Sequence, residues 1–181
     1  MNPLHDIADD RIQPDKFVAV IEIPKGSRSK FEIDKDSGMI MLDRVLQTSC
    51  RYPINYGFIP RTLCEDGDAL DVCVLGGETV YPLTLVNCRP VGVIEMVDNG
   101  ERDEKIIAIP LYKGNIFSEY NKITDINEVP KYIINEITHF MRVYKDLSKD
   151  NNVVVGEIKG RAASEKYIKE AKELYKKSTK K

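Results

Sequence analysis

Three aspartates fall within six residues, Asp66-Gly67-Asp68-Ala69-Leu70-Asp71, immediately before the apolar run Val72 to Leu75. Such a cluster has no use in a core: two unscreened charges about 4 Å apart repel by roughly 4 kcal/mol at an effective dielectric near 20, so they need protons or a counter-ion. A hard divalent cation is the natural counter-ion. Gly67 permits a tight turn and the run after it reads as a strand, which puts Asp71 on a rigid element and Asp66 and Asp68 on the loop feeding it. More acid comes from a hairpin. Asn99-Gly100 is a strong type I′ turn signal between residues 87–98 and 101–110. Taken as the loop, it pairs Asp98 with Glu101, Met96 with Asp103 and Ile94 with Lys105. Asp98, Asp103 and Lys105 then share a face, with Asp98 and Asp103 diagonal neighbours about 7–8 Å apart. Their oxygens can reach one metal ion or two adjacent ones; an exposed, charged hairpin tip is the other reading.

The elements that must position these acids carry basic and phenolic groups of their own. Residues 17–24, FVAVIEIP, read as a strand ended by Pro24-Lys25-Gly26, with Glu22 on the face of Val18 and Val20. Either a carboxylate is carried on an apolar strand there or the strand end reaches solvent. In residues 30–34 the alternation sends Phe31 and Ile33 inward and makes Lys30 and Glu32 neighbours, which a solvated strand face with a weak ion pair also explains. A second strand, 39–45, carries Arg44. Residues 51–60, with Tyr52 and Tyr56 among prolines and a glycine, predict an extended or turning loop. A phenol there can pack its ring and still offer its hydroxyl to an anion.

Farther along, residues 113–129 have few periodic signals and read as irregular. Pro130 suits the first turn of a helix with Ile133, Ile137, Phe140 or Met141, and Tyr144 at helical spacing. His139 and Tyr144 are by default packing residues, and Lys145 reaches past the helix end. Residues 153–160 are a last strand, and a second amphipathic helix runs from about Ser164 to Lys177 with Ile168, Ala171 and Leu174 or Tyr175 inward. Acids gathered without histidine or thiol select oxygen-loving cations such as Mg²⁺ or Mn²⁺. Basic and phenolic groups beside them call for an anionic substrate, and phosphate fits.

Composition sets bounds on the alternatives. At 181 residues the chain suits one domain with a full core, and its net charge of −2 argues against a dominant nucleic-acid surface. Cys50, Cys64, Cys73 and Cys88 show no C-x-x-C spacing and only His5 and His139 are available, so a zinc site would need unusual ligands and four reduced, mostly buried thiols are expected. Residues 1–11 lack the apolar stretch of a signal peptide and no run of about 20 apolar residues occurs, so a cytoplasmic protein with no membrane partner is expected.

D-G-D-A-L-D-V at 66–72 resembles the signature of the family I soluble inorganic pyrophosphatases, bacterial type, in which three aspartates share D-x-D-x-x-D spacing. The likeness runs over nearly the whole chain: V-I-E-I-P at 20–24, K-F-E-I-D at 30–34, D-R at 43–44, Y-P-I-N-Y-G at 52–57, C-R-P-V-G-V at 88–93, the spacing of Asp98, Asp103 and Lys105, and H-F at 139–140 with Y-K-D-L at 144–147. The resemblance implies an α+β, mainly β fold, a five-stranded OB-like closed barrel flanked by two helices from the C-terminal half, as one pyrophosphatase domain over residues 1–181. It implies hydrolysis of inorganic pyrophosphate by a metal-activated water, with several Mg²⁺ ions per site, Mn²⁺ or Zn²⁺ as substitutes, and a homohexamer.

Carried over by position, Asp66, Asp71 and Asp103 would bind the principal ions, Asp98 an additional one, and Glu22 another through water. Lys30, Arg44, Lys105, Tyr56, Tyr144 and Lys145 would grip the two phosphates, Glu32 and Tyr52 would line the site, and Asp68 would be the general base. Two positions depart from the family pattern. Ala69 replaces the usual proline or glutamate, loosening the loop by about 0.4–1 kcal/mol if proline is the reference. Asn99 stands where some bacterial members have a second acid, so no metal contact is carried over there.

Other functions fit less well. A calcium EF-hand counted from Asp66 would place Asp71 where glycine is required and Gly77 where the bidentate glutamate belongs. A nucleic-acid-binding barrel would present an acidic face to a phosphate backbone. An inactive structural member of the family is distinguished by assay.

Overall fold

A computed structural model describes residues 2–113, 118–149 and 151–179. Its centre is a closed ring of five strands. Strand β2 (Lys16–Ile23) pairs antiparallel with β5 (Asn55–Phe58), β5 with β6 (Asp71–Val74), and β6 runs parallel to β9 (Lys105–Pro110). β9 pairs antiparallel with β7 (Leu85–Asp98), and β7 returns to β2 through Phe17↔Cys88 to Val20↔Leu85, which closes the barrel. This is a mainly β, OB-like architecture with helices outside.

β7 is 14 residues long because it serves three partners in turn: β2, β9, and the outer strand β10 (Val153–Gly160). Pro90 and Gly92 let it bend. The register with β9 shifts between them, and a Cβ on Gly92 would sit 2.7 Å from the Lys159 carbonyl. The short β1 (Ile12–Gln13) extends β2 at one edge, and β8 (Glu101–Arg102) completes the hairpin with β7. Asn99 and Gly100 both take positive φ, 52° and 87°, as the type I′ turn requires. A separate two-stranded hairpin, β3 (Ser29–Ile33) with β4 (Ile40–Val45), stands off the barrel.

Strand alternation sorts the core in two. Val72, Val74, Ile106 and Ala108 pack with Ile168 and Ala171 of helix α3 (Arg161–Ser178). Cys73, Ile107 and Ile109 point the other way and pack with Ile137, Phe140 and Met141 of helix α2 (Lys131–Val143). Asp71, Tyr56 and Lys105 have the parity of this second set, so they emerge where the α2 side of the core meets solvent. None of the described helices is long and apolar enough to cross a membrane.

Four expectations need correction. Residues 55–58 are not loop but a buried barrel strand; prolines at 53 and 60 bound it, and Gly57 masks the strand signal. That glycine is obligatory, because a Cβ there would lie 1.9 Å from the Val20 carbonyl of the adjacent strand. Gly57→Ala should therefore cost about 2 kcal/mol, read as a lower midpoint in urea with an unchanged slope. Within residues 113–129 a short helix α1 (Ser118–Lys122) and a 3-10 turn at Ile126–Glu128 are present; residues 114–117 lie outside the described residues.

Helix α3 starts at Arg161 rather than Ser164, because Asp125, 36 residues earlier, accepts the Arg161 N–H at 2.9 Å and supplies a cap no local pattern could reveal. Tyr175, not Leu174, is its inward residue, and His139 is exposed rather than packed. Of the four cysteines, all free, Cys73 and Cys88 are buried and Cys50 and Cys64 half-buried.

Candidate functional site

One cleft of about 490 Å³ opens where the barrel, the β3–β4 hairpin and the C-terminal end of α2 meet. Its floor is built by the parallel pair β6 and β9, whose first residues, Asp71 and Lys105, are register partners. The Lys105 ammonium lies 2.5 Å from Asp71 Oδ2, also pairs with Asp103, and sits 5.8 Å from the centre of the Tyr56 ring. Burial opposes its charge, yet Asp71 and Asp103 outweigh that and hold Lys105 above the usual lysine range. Burial pushes Asp71 up despite Lys105, with Asp103 adding repulsion and the Tyr56 hydroxyl donating to it in opposition.

The loop entering β6 turns at Gly67, φ +84°, and Asp66 accepts the Asp68 N–H at 2.9 Å. Burial raises Asp66, and the charges of Asp68, Asp71 and Asp103 add to the effect against that backbone bond. Asp103 donates its own N–H to the Met96 carbonyl at 2.9 Å, which places it across the hairpin in the register deduced from Asn99-Gly100. Asp98 gives one oxygen to Lys145; the other, Oδ1, is buried without a hydrogen-bond partner.

On the opposite wall, Lys30 pairs with Glu32 and lies 3.0 Å from Asp43, which also accepts from Arg44 Nε at 2.9 Å. Asp43 thus gathers two of the four cations that sequence reasoning assigned to substrate. Its own role was missed, although Lys30↔Arg44 pairing in the hairpin is the signal that could have shown it. Glu22 does not reach solvent at a strand end: it is 9% exposed and accepts the Ile33 N–H at 2.8 Å. Burial, reinforced by Asp71, pushes its pKa up to about 8.

Every sequence-derived site residue lines this cleft except Tyr52. Tyr52 is 3% exposed and stands one layer back, its ring 5.6 Å from that of Tyr56 and 4.7 Å from Phe140, so it supports the wall rather than forming it. Phe140 in turn stacks on Tyr144 at 5.1 Å, which fixes the end of α2 against the cleft. Lys35, Gln47, Arg102 and Ser148 also line it and were not anticipated.

Among the described residues, no three acid, histidine or thiol side chains stand close enough to enclose one ion as they are. Asp71 and Asp103 are instead drawn onto Lys105. The donors nevertheless suit a hard divalent cation: they are all carboxylate oxygens, Asp66, Asp71 and Glu22 are pushed up by burial and by neighbouring carboxylates, and Asp98 Oδ1 is an unpartnered buried acceptor.

A model of the family described as inorganic pyrophosphatase matches residues 19–176. The chain is 42% identical over 178 residues to soluble inorganic pyrophosphatase 2 of Chlamydomonas reinhardtii, covering 96% of this chain and 88% of that one. It is 46% identical over 163 residues to inorganic pyrophosphatase of Xanthomonas axonopodis pv. citri, covering 90% of each. The solved inorganic pyrophosphatase of Helicobacter pylori superposes with a TM-score of 0.86 at 38% identity, over 91% of this chain and 96% of that one.

Proposed function

The chain belongs to the inorganic pyrophosphatase family and is an inorganic diphosphatase, hydrolysing pyrophosphate; from this premise we propose that Asp66, Asp71 and Asp103 hold the principal Mg²⁺ ions. Asp98 and Glu22 hold further ones, with Mn²⁺ or Zn²⁺ as substitutes, and Asp68 is the general base. The observation supporting this reading is the convergence, in one cleft of about 490 Å³, of carboxylates from the 66–71 loop and the 98–103 hairpin facing cations from β3, β4 and the end of α2.

When bound, the cations would neutralise substrate charge and lower the pKa of an attacking water. Asp68 takes that water's proton, and the water oxygen bonds to one phosphorus as the bridging P–O bond breaks, leaving two orthophosphates. No side chain is phosphorylated, because water is the nucleophile. Lys30 and Arg44, held side by side by Asp43, meet the charge developing on the departing phosphate. Tyr56, Lys105, Tyr144 and Lys145 hold the other end, and Glu32 orients Lys30.

A colorimetric phosphate assay tests this. Pyrophosphate with Mg²⁺ should release two phosphates per molecule, tripolyphosphate and ATP should be poor substrates, and EDTA should abolish release. Turnover that survives the chelator would remove the metals from the scheme. The same reading takes residues 1–181 as a single domain of a cytoplasmic homohexamer, with the exposed α2 face around Tyr132 and His139 available for contacts between copies. Sedimentation velocity showing only monomer would remove the hexamer.

A further inference from the structure

We infer that Lys35, which lies outside every residue set assigned above, is a positioning residue that aims the Asp68 carboxylate; the inference rests on the reading of Asp68 as the base. The backbone around Asp68 is fixed on both sides. Its N–H donates to Asp66 Oδ1 at 2.9 Å, its carbonyl accepts the Cys64 N–H at 2.8 Å, and Gly67 before it is locked in a left-handed turn. The side chain is another matter. At 61% exposure it has no packing to select a rotamer, and an unpacked aspartate samples about three χ1 wells.

Lys35 supplies the missing restraint. Its ammonium pairs with Asp68 Oδ1 and donates to the Gly67 carbonyl at 3.2 Å, so one side chain grips both the carboxylate and the turn beneath it. The grip is anchored at its own end. Lys35 lies in the turn joining β3 to β4, where Asp34 accepts the Ser37 N–H at 3.0 Å, the Asp34 carbonyl accepts the Gly38 N–H at 2.8 Å, and Asn2 Nδ2 donates to the Lys35 carbonyl at 2.8 Å.

The pair also ties the phosphate-binding hairpin to the acidic loop on the opposite wall. The hairpin also meets the barrel through the Glu22 bond to Ile33 N–H, the small cluster of Val20, Ile33 and Phe58, and Phe31 packed against the α2-side core. An exposed ion pair contributes little stability, so its value is geometric. One guanidinium in place of the ammonium could make the same two contacts.

The test is steady-state pyrophosphate hydrolysis by Lys35→Met, Lys35→Arg, Asp68→Asn and the double variant Lys35→Met/Asp68→Asn. Lys35→Met should lower kcat about three- to tenfold, the dilution expected when one χ1 well becomes three and χ2 is freed, with KM for Mg²⁺-pyrophosphate within about twofold. Lys35→Arg should recover at least half of the lost kcat. In the Asp68→Asn background Lys35→Met should change nothing further, since there is no base left to aim. A rise in KM at unchanged kcat would make Lys35 a substrate-attracting charge and overturn the inference, as would an equal fall in kcat in both backgrounds. If Asp68→Asn alone leaves kcat intact, the reading of Asp68 fails first; if Asp68→Asn behaves as a lost base and Lys35→Met is silent, only the role of Lys35 fails.

Discussion

Asparagine at position 68 should lower kcat for pyrophosphate by about 10²- to 10⁴-fold, the range that a lost general base commands, while the Mg²⁺ concentration for half-maximal activity stays nearly unchanged. The three aspartates of the 66–71 segment differ in environment, and the difference assigns their roles. Asp71 is on a strand and bound to Lys105, and Asp66, though exposed, has its carboxylate engaged by the Asp68 N–H. Asp68, 61% exposed, keeps its carboxylate clear of the backbone bond that Asp66 accepts, where water can approach it. Asparagine keeps the size of the side chain and one acceptor oxygen but cannot take a proton. Stopped-flow phosphate release at saturating Mg²⁺, combined with a metal titration, separates the two outcomes. A shifted metal requirement with kcat preserved would make Asp68 a metal ligand instead.

Much of this site is legible in sequence because its parts are set by local geometry. The Asn99-Gly100 turn fixes the register that brings Asp98, Asp103 and Lys105 to one face, and the alternation before and after it carries that register into the barrel. The D-x-D-x-x-D spacing likewise separates a loop pair of acids from a strand acid without any knowledge of the neighbours. Period-two patterns cannot, however, tell which strands meet around a ring. That β6 lies parallel to β9, so that Asp71 and Lys105 become partners 34 residues apart, depends on closure of the whole barrel.

The misreadings share a cause. Residues 55–58 look like loop because Pro53, Gly57 and Pro60 are turn-formers locally; Gly57 is required there by the Val20 carbonyl of another strand. The start of α3 is hidden because its cap, Asp125, comes from a distant turn. Glu22 looked able to reach solvent because nothing local announces that the β3–β4 hairpin folds over it and offers the Ile33 N–H. Tyr52 matches a wall residue by motif yet stands behind Tyr56, its ring packed against those of Tyr56 and Phe140, the latter supplied by helix α2. In each case a tertiary neighbour overrode a local preference.

Methionine in place of Lys105 should make the stability of the protein depend on Mg²⁺. In the wild-type chain the Lys105 ammonium, 5% exposed, is the shared counter-charge of Asp71 and Asp103, which are 27% and 17% exposed. Removing it leaves two partly buried carboxylates facing each other unpaired, a change that costs about 3 kcal/mol when one member of a buried ionic group is deleted. For a chain of this length that corresponds to a fall in Tm of about 6–12 °C, measured in EDTA. A divalent cation bound by the same two acids restores the missing charge and stabilises only the folded state, so millimolar Mg²⁺ should return most of the loss to Lys105→Met but raise the wild-type Tm less. Adding Asp71→Asn to Lys105→Met removes one of the two repelling charges. The double variant should therefore be more stable in EDTA than Lys105→Met alone, and less responsive to Mg²⁺. If Lys105→Met melts at the same temperature with EDTA and with Mg²⁺, Asp71 and Asp103 do not share an ion, and the metal-binding role proposed for the pair is lost.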